Sequence, residues 1–186
     1  MIKFLQSLNL IYPLSPALHE YLFEKLKLVE VSKKEFLLRE GKISKNIYFI
    51  NKGLVRCFYI KEDKEVSSWF MKEGDLIISV ESYFNQQPTY ENIQAIEDSE
   101  LFSISHDELS VIYYKFPEFN FIARVLTEKY YTLSEQRLFS LRMQRASERY
   151  AHLMKNFPEI IQRVPSTYIA SYLGITLETL SRIKHY

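Results

Sequence analysis

Within seven residues near the end of the chain stand a hydroxyl, a carboxylate, two further hydroxyls and a guanidinium: Thr176, Glu178, Thr179, Ser181 and Arg182. These side-chain types read base edges in a major groove, where a carboxylate accepts from cytosine N4 and an arginine donates twice to guanine. Such chemistry needs a firmly held helix, and the surrounding residues predict one. A helix starting near Ser166 would bury Ile169, Ala170 and Leu173 on one stripe. Gly174 would stop it, because a tight turn between helices favours a residue that tolerates positive φ. Thr176 can N-cap a second helix whose apolar side is Leu180 and Ile183. Ala170, Gly174 and Leu180 stand at 0, +4 and +10, the spacing that lets the two helices of a helix-turn-helix cross closely. The plainer alternative is a pair of ordinary helices on which Glu178 and Arg182 form an i,i+4 ion pair.

Composition narrows what such a motif could serve. At 186 residues the chain can bury a full domain and a smaller one, and 47% apolar with 25% charged residues is ordinary for a globular protein. No stretch approaches the roughly 18 apolar residues of a membrane span, and the N-terminus lacks a signal-like apolar run. A cytoplasmic location without membrane contact is the expectation. Cys57 is alone, which excludes an intrachain disulfide and a multi-thiolate cluster. His19, His106, His152 and His185 show no ligand-like spacing, so neither metal nor cofactor is expected. Net charge is +1, but it is unevenly spread: residues 143–186 carry +3 and the preceding ones −2. A small basic module on a mildly acidic body suits a nucleic-acid-binding end.

The remainder supplies the body. After two short helical patterns, the second opened by Ser15-Pro16, β-rich segments are expected near 26–31, 35–39, 46–50, 53–60, 65–71, 76–80, 91–96 and 99–104. Eight short strands in eighty residues predict a jelly-roll-like antiparallel barrel. Ser105-His106-Asp107-Glu108 reads as a capping box opening a helix to Lys115. Beyond Pro117 the chain reads helical past Met143, with Phe119, Ile122, Leu126 and Leu133 forming an incomplete heptad-like seam. That seam is the expected dimer interface. A further helix near 144–156 leads into the helix-turn-helix. The fold class is α+β, with a β-roll sensor domain over 1–116, a dimerisation helix over 117–142 and a helix-turn-helix domain over 143–186.

A β-roll, a long central helix and a C-terminal helix-turn-helix, with Gly53 and Gly74-Asp75 at barrel turns and Gly174 at the inter-helix turn, resemble the Crp–Fnr family of transcription regulators over nearly the whole chain. The resemblance implies a homodimer that binds a palindromic site in double-stranded DNA, contacts RNA polymerase and responds to a small-molecule effector. It places Glu178 and Arg182 at the two base-reading positions. Thr176, Thr179 and Ser181 fall where additional contacts occur, and Ser166, Thr167 and Lys184 where phosphate binders set register. Leu177 stands where the catabolite activator branch carries an arginine, so a guanine contact gives way to apolar contact with a thymine methyl. The sequence stops at Tyr186, right after the second helix and before the family's β-hairpin wing, so either a wingless short form or a truncated sequence is expected.

The effector site departs from the cyclic-nucleotide pattern. Ser79 aligns with the ribose-binding glutamate, with Glu81 close by, and Thr89-Tyr90 align with the Arg-Ser pair that holds the cyclic phosphate. No arginine occurs between Arg56 and Arg124, so a buried phosphate would lack its bidentate partner. The expected effector is therefore unknown and not a cyclic nucleotide, in a pocket drawing on Phe58, Trp69, Phe70, Ser79, Glu81, Tyr83, Thr89 and Tyr90. An enzyme is disfavoured, because residues 26–104 hold no histidine and no phosphate-binding or nucleophile-elbow motif is present. The other alternative is a dimeric sensing module that has lost DNA binding.

Overall fold

The computed structural model describes residues 1–184; His185 and Tyr186 lie outside the described residues. The chain divides into two compact units, one of residues 1–56 and 71–129, the other of residues 57–70 with the chain from Tyr130 onward.

The first unit opens with α1 (Ile2–Ile11) and α2 (Pro16–Lys25), the latter N-capped by Ser15, whose hydroxyl accepts from the Leu18 amide. The strands follow: β1 (Lys27–Val31), β2 (Phe36–Leu38), β3 (Asn46–Lys52), β4 (Val55–Lys61), β5 (Lys64–Met71), β6 (Leu76–Ile77), β7 (Glu91–Ala95) and β8 (Ser99–Ser105). A short helix, α3 (Val80–Asn85), lies between β6 and β7. The two four-stranded sheets are ordered β1-β8-β3-β6 and β2-β7-β4-β5, the jelly-roll arrangement. Antiparallel pairing sets Leu28 and Phe49 on either side of Phe102, and Val29 and Ile50 on either side of Leu101. At the β3–β4 turn Gly53 has φ +103, and a Cβ there would lie 2.1 Å from Ser99 Oγ and 2.8 Å from Ser99 Cα, so both conformation and space demand glycine.

Helix α4 (His106–Lys115) begins with the expected capping box: Ser105 Oγ accepts from the Glu108 amide and Glu108 Oε2 from the Ser105 amide. Helix α5 (Pro117–Met143) follows. Its first half closes the core of the first unit, where Phe119 and Ile122 join Phe4, Leu8, Leu22, Phe49, Phe102 and Ile112. Three of the four residues of the expected seam therefore lie in or against this core. Phe119 and Ile122 are core residues of their own chain, Ile122 at 0% exposure, and Leu126 packs against the same core. At 100° per residue, positions 119, 122, 126 and 133 share one stripe, and the chain's own core takes that stripe first. Leu133 is half-buried.

In the second unit lie α6 (Ala146–Asn156), α7 (Pro158–Arg163), α8 (Ser166–Leu173) and α9 (Leu177–Lys184), with Leu153, Ile160, Val164, Ile169, Ala170, Leu173 and Leu180 buried. It also holds the outer part of the β4–β5 hairpin. That hairpin turns through Glu62 and Asp63, both at positive φ (51° and 60°), a type I′ geometry made without glycine.

Candidate nucleic-acid interface

Helices α8 and α9 form the helix-turn-helix. The two helices contact each other, and Ile169, Ala170 and Leu173 of α8 and Leu180 of α9 are all buried, as their spacing predicts. A Schellman motif ends α8: the Gly174 amide donates to Ser171 O and the Ile175 amide to Ala170 O. Gly174 has φ +65, and a Cβ there would sit 3.7 Å from Leu141 Cδ2, ordinary contact. Conformation, not crowding, requires the glycine. Thr176 Oγ1 then accepts from the Thr179 amide at 3.1 Å and caps α9.

Capping occupies part of what the sequence offers for base contact. The Thr176 hydroxyl is engaged with the Thr179 amide and, at 3.0 Å, with the Thr179 hydroxyl. Leu177, Glu178, Ser181 and Arg182 are exposed. The Arg182 and Glu178 side chains are 67% and 83% exposed and their ion pair spans 3.9 Å, so it holds neither group firmly. Both are available to a ligand. At the other end of the motif Lys184 Nζ donates to Ser166 Oγ at 3.1 Å, beside the exposed Thr167. That gathers one cation, two hydroxyls and the first amides of α8, groups that suit a phosphate.

Three residues that the sequence did not single out hold this motif: Ser171, bonded to β5, and Arg137 and Arg149, bonded to the last carbonyls of α8.

The expected effector residues divide between the units. Phe58, Trp69 and Phe70 belong to the second, where Phe70 packs its ring 5.2 Å from that of Tyr172. In the first, Ser79 and Thr89 are buried and their hydroxyls bond each other at 2.9 Å, while Thr89 Oγ1 also accepts from the Glu91 amide. The two positions aligned with nucleotide-binding groups thus satisfy one another. Glu81 bonds the exposed Tyr90 phenol and raises its pKa above the usual tyrosine value. Tyr83 lies in the core, where burial pushes its phenol strongly upward, and its hydroxyl has no hydrogen-bond partner among the described residues. An unsatisfied buried hydroxyl costs about 1–3 kcal/mol. Tyr83→Phe is therefore expected to keep or raise the thermal midpoint, by about 2–4 °C per kcal/mol recovered. A fall of several degrees in differential scanning fluorimetry would show that the hydroxyl is bonded in solution.

Among the described residues no group of three or more His, Cys, Asp or Glu could hold a metal ion, and no helix is long and apolar enough to cross a membrane.

Residues 28–114 match the cyclic nucleotide-binding domain family. No curated protein sequence matches the chain. Among solved structures it is similar to FixK2 from Bradyrhizobium japonicum, at TM-score 0.71 and 21% identity, covering 86% of this chain and 83% of that one. It is also similar to the c-di-GMP responsive global regulator CLP from Xanthomonas campestris, at TM-score 0.71 and 16% identity over 89% and 88% of the two chains. The catabolite activator protein of Thermus thermophilus aligns at TM-score 0.59 and 17% identity over 95% and 84%. A further similar structure, from Eubacterium rectale and described as of the Crp–Fnr family of transcriptional regulators, aligns at TM-score 0.72 and 16% identity over 93% and 83%, and the chain has the fold of these proteins.

Proposed function

We propose that this chain, a Crp–Fnr fold with a cyclic nucleotide-binding-type domain over residues 28–114, is a homodimeric transcription regulator that reads a two-fold symmetric DNA site through α9. The observation that carries the reading is the exposed Glu178–Arg182 pair on a helix locked to its neighbour by a Schellman turn and buried apolar contacts. Arg182 would donate to guanine N7 and O6, Glu178 would accept from cytosine N4, and Leu177 would meet a thymine methyl. Ser166, Thr167 and Lys184 would anchor phosphates, while Thr176 and Thr179 shape the start of α9. Two copies should present their α9 helices about 34 Å apart, one turn of DNA.

The dimer face is proposed on the distal half of α5, away from the stripe that the core consumes. Tyr131, Leu138 and Phe139 are 67%, 41% and 58% exposed there, an apolar surface that a lone chain would leave in water. The effector is proposed to be something other than a cyclic nucleotide, because Ser79 and Thr89 supply neither a carboxylate for a ribose nor a cation for a phosphate. Contact with RNA polymerase and a cytoplasmic setting belong to the same reading.

Selection of bound duplexes from a random pool by the purified protein tests it. Enrichment of an inverted repeat by tenfold or more, weakening as salt rises, is the expected result. No enrichment with an intact dimer, in buffer and in cell extract alike, would instead leave a sensing module without DNA binding.

A further inference from the structure

At the end of α8 three consecutive residues are each held by a different element. Ser171 Oγ accepts from the Ser67 amide and donates to Glu65 O, both at 2.9 Å, which covers the outer edge of β5. Tyr172 lies beneath Arg137 of α5, whose guanidinium carbon is 3.6 Å from the ring centroid and whose Nη2 donates to Tyr172 O. Leu173 O accepts from Arg149 Nε of α6 at 3.0 Å, and the same guanidinium reaches Gln144 O.

The carbonyls of Tyr172 and Leu173 are among the last four of α8, which have no partner within the helix. Two cations at that end also face the negative pole of its dipole. Arg137 is the more constrained of the two: burial disfavours its charge, and burial also raises the Tyr172 phenol. A planar guanidinium that stacks on a ring and donates in the same plane fixes orientation in a way that an ammonium cannot. Its position matters as well. Arg137 lies between Tyr131 and Leu138 on α5, so the same two turns of helix carry both the proposed dimer face and the grip on α8.

We infer that Arg137 is a positioning residue for DNA recognition: by gripping Tyr172 it fixes α8, and through the Schellman turn α9, relative to the dimer helix, and so sets the separation of the two readers. The inference rests on the DNA-binding reading above. Arg137 itself touches no DNA; a reader released from it still meets phosphates but no longer holds one spacing.

The test compares wild type with Arg137→Met, Arg137→Lys and Tyr172→Phe. Affinity is measured for the selected inverted repeat and for versions with two base pairs added or removed at its centre, each over a range of salt. Arg137→Met is expected to lose tenfold or more on the native spacing and to discriminate less between spacings, with a salt dependence equal to that of wild type. A phosphate contact, made once by each protomer, would instead lower the salt slope by about two. Arg137→Lys should fall between, and Tyr172→Phe, which keeps the ring and the carbonyl, should match wild type. Wild-type affinity and spacing preference in both Arg137 variants would overturn the proposal.

Amide hydrogen exchange without DNA tests the grip on α8 independently of recognition. Faster exchange over residues 171–180 in Arg137→Met, with residues 86–115 unchanged, is expected, and unchanged exchange over 171–180 would overturn the positioning role by itself. If wild type enriches no duplex, the functional reading fails, and exchange alone decides whether Arg137 holds the motif.

Discussion

In the proposed DNA-binding dimer, Arg182→Glu is expected to abolish sequence-specific binding while leaving dimerisation and the thermal midpoint as they are. The magnitude follows from geometry. A bidentate arginine–guanine contact discriminates by about 1–3 kcal/mol, and a two-fold dimer makes it twice. At about 1.4 kcal/mol per decade, losing both costs roughly 30- to 2 × 10⁴-fold, and a carboxylate facing guanine acceptors adds repulsion. The stability cost is small because the Arg182–Glu178 pair spans 3.9 Å between largely exposed side chains. A like charge four residues from Glu178 removes only a few tenths of a kcal/mol, roughly 0.2–0.5. Fluorescence anisotropy on the selected duplex at fixed salt, paired with sedimentation, separates these effects. Binding as tight as wild type would move recognition away from α9 altogether.

The sequence signals that held are those written locally. Ser105 and Glu108 make their reciprocal cap because both partners lie within one turn. Gly174 adopts φ +65, and Thr176 caps α9, for the same reason. Misses came where the signal was too short or had to be shared. Helix α3 has only six residues, too few for a 3.6-residue period to emerge, and its Val80, Tyr83 and Phe84 look like strand residues. It ends at Gln86 with φ +50, where a glycine would have advertised the stop. Helix α7 was hidden because Pro158 reads equally well as the end of one helix or the first residue of another.

The partners of the candidate site were harder to see, since they are set by topology. Ser171 meets a strand edge more than a hundred residues earlier in the chain, and no local pattern encodes that meeting. Arg137 continues the stripe of Phe119, Ile122, Leu126 and Leu133, but an arginine on an apolar stripe reads as an interruption. In the structure it occupies the next position of that stripe, with its guanidinium on a helix end. The buried hydroxyl pair of Ser79 and Thr89 was legible as residue types; that the two bond each other was not.

Placing glutamate at both Leu138 and Phe139 is expected to convert the proposed dimer to a folded monomer and to weaken binding to a selected inverted repeat by about 10²–10⁴, the range lost when two linked half-sites act separately. Burying a leucine or phenylalanine contributes about 1.5–3 kcal/mol, and each residue appears twice across a two-fold interface. Four glutamates facing one another would reverse the sign of that contribution. Within one chain the same substitutions cost less, because Leu138 and Phe139 keep 41% and 58% of their surface exposed. Ile122→Glu provides the contrast. Ile122 lies wholly within the core of the first unit, so a carboxylate there is expected to unfold that unit. Sedimentation together with a urea unfolding curve distinguishes the two faces of α5. If the Leu138/Phe139 variant remains dimeric while a stable Ile122→Glu chain dissociates, the core-facing stripe is the dimer seam after all. If instead the monomer retains its fold and binds a single half-site weakly, α9 reads DNA unaided and α5 supplies affinity by joining two readers.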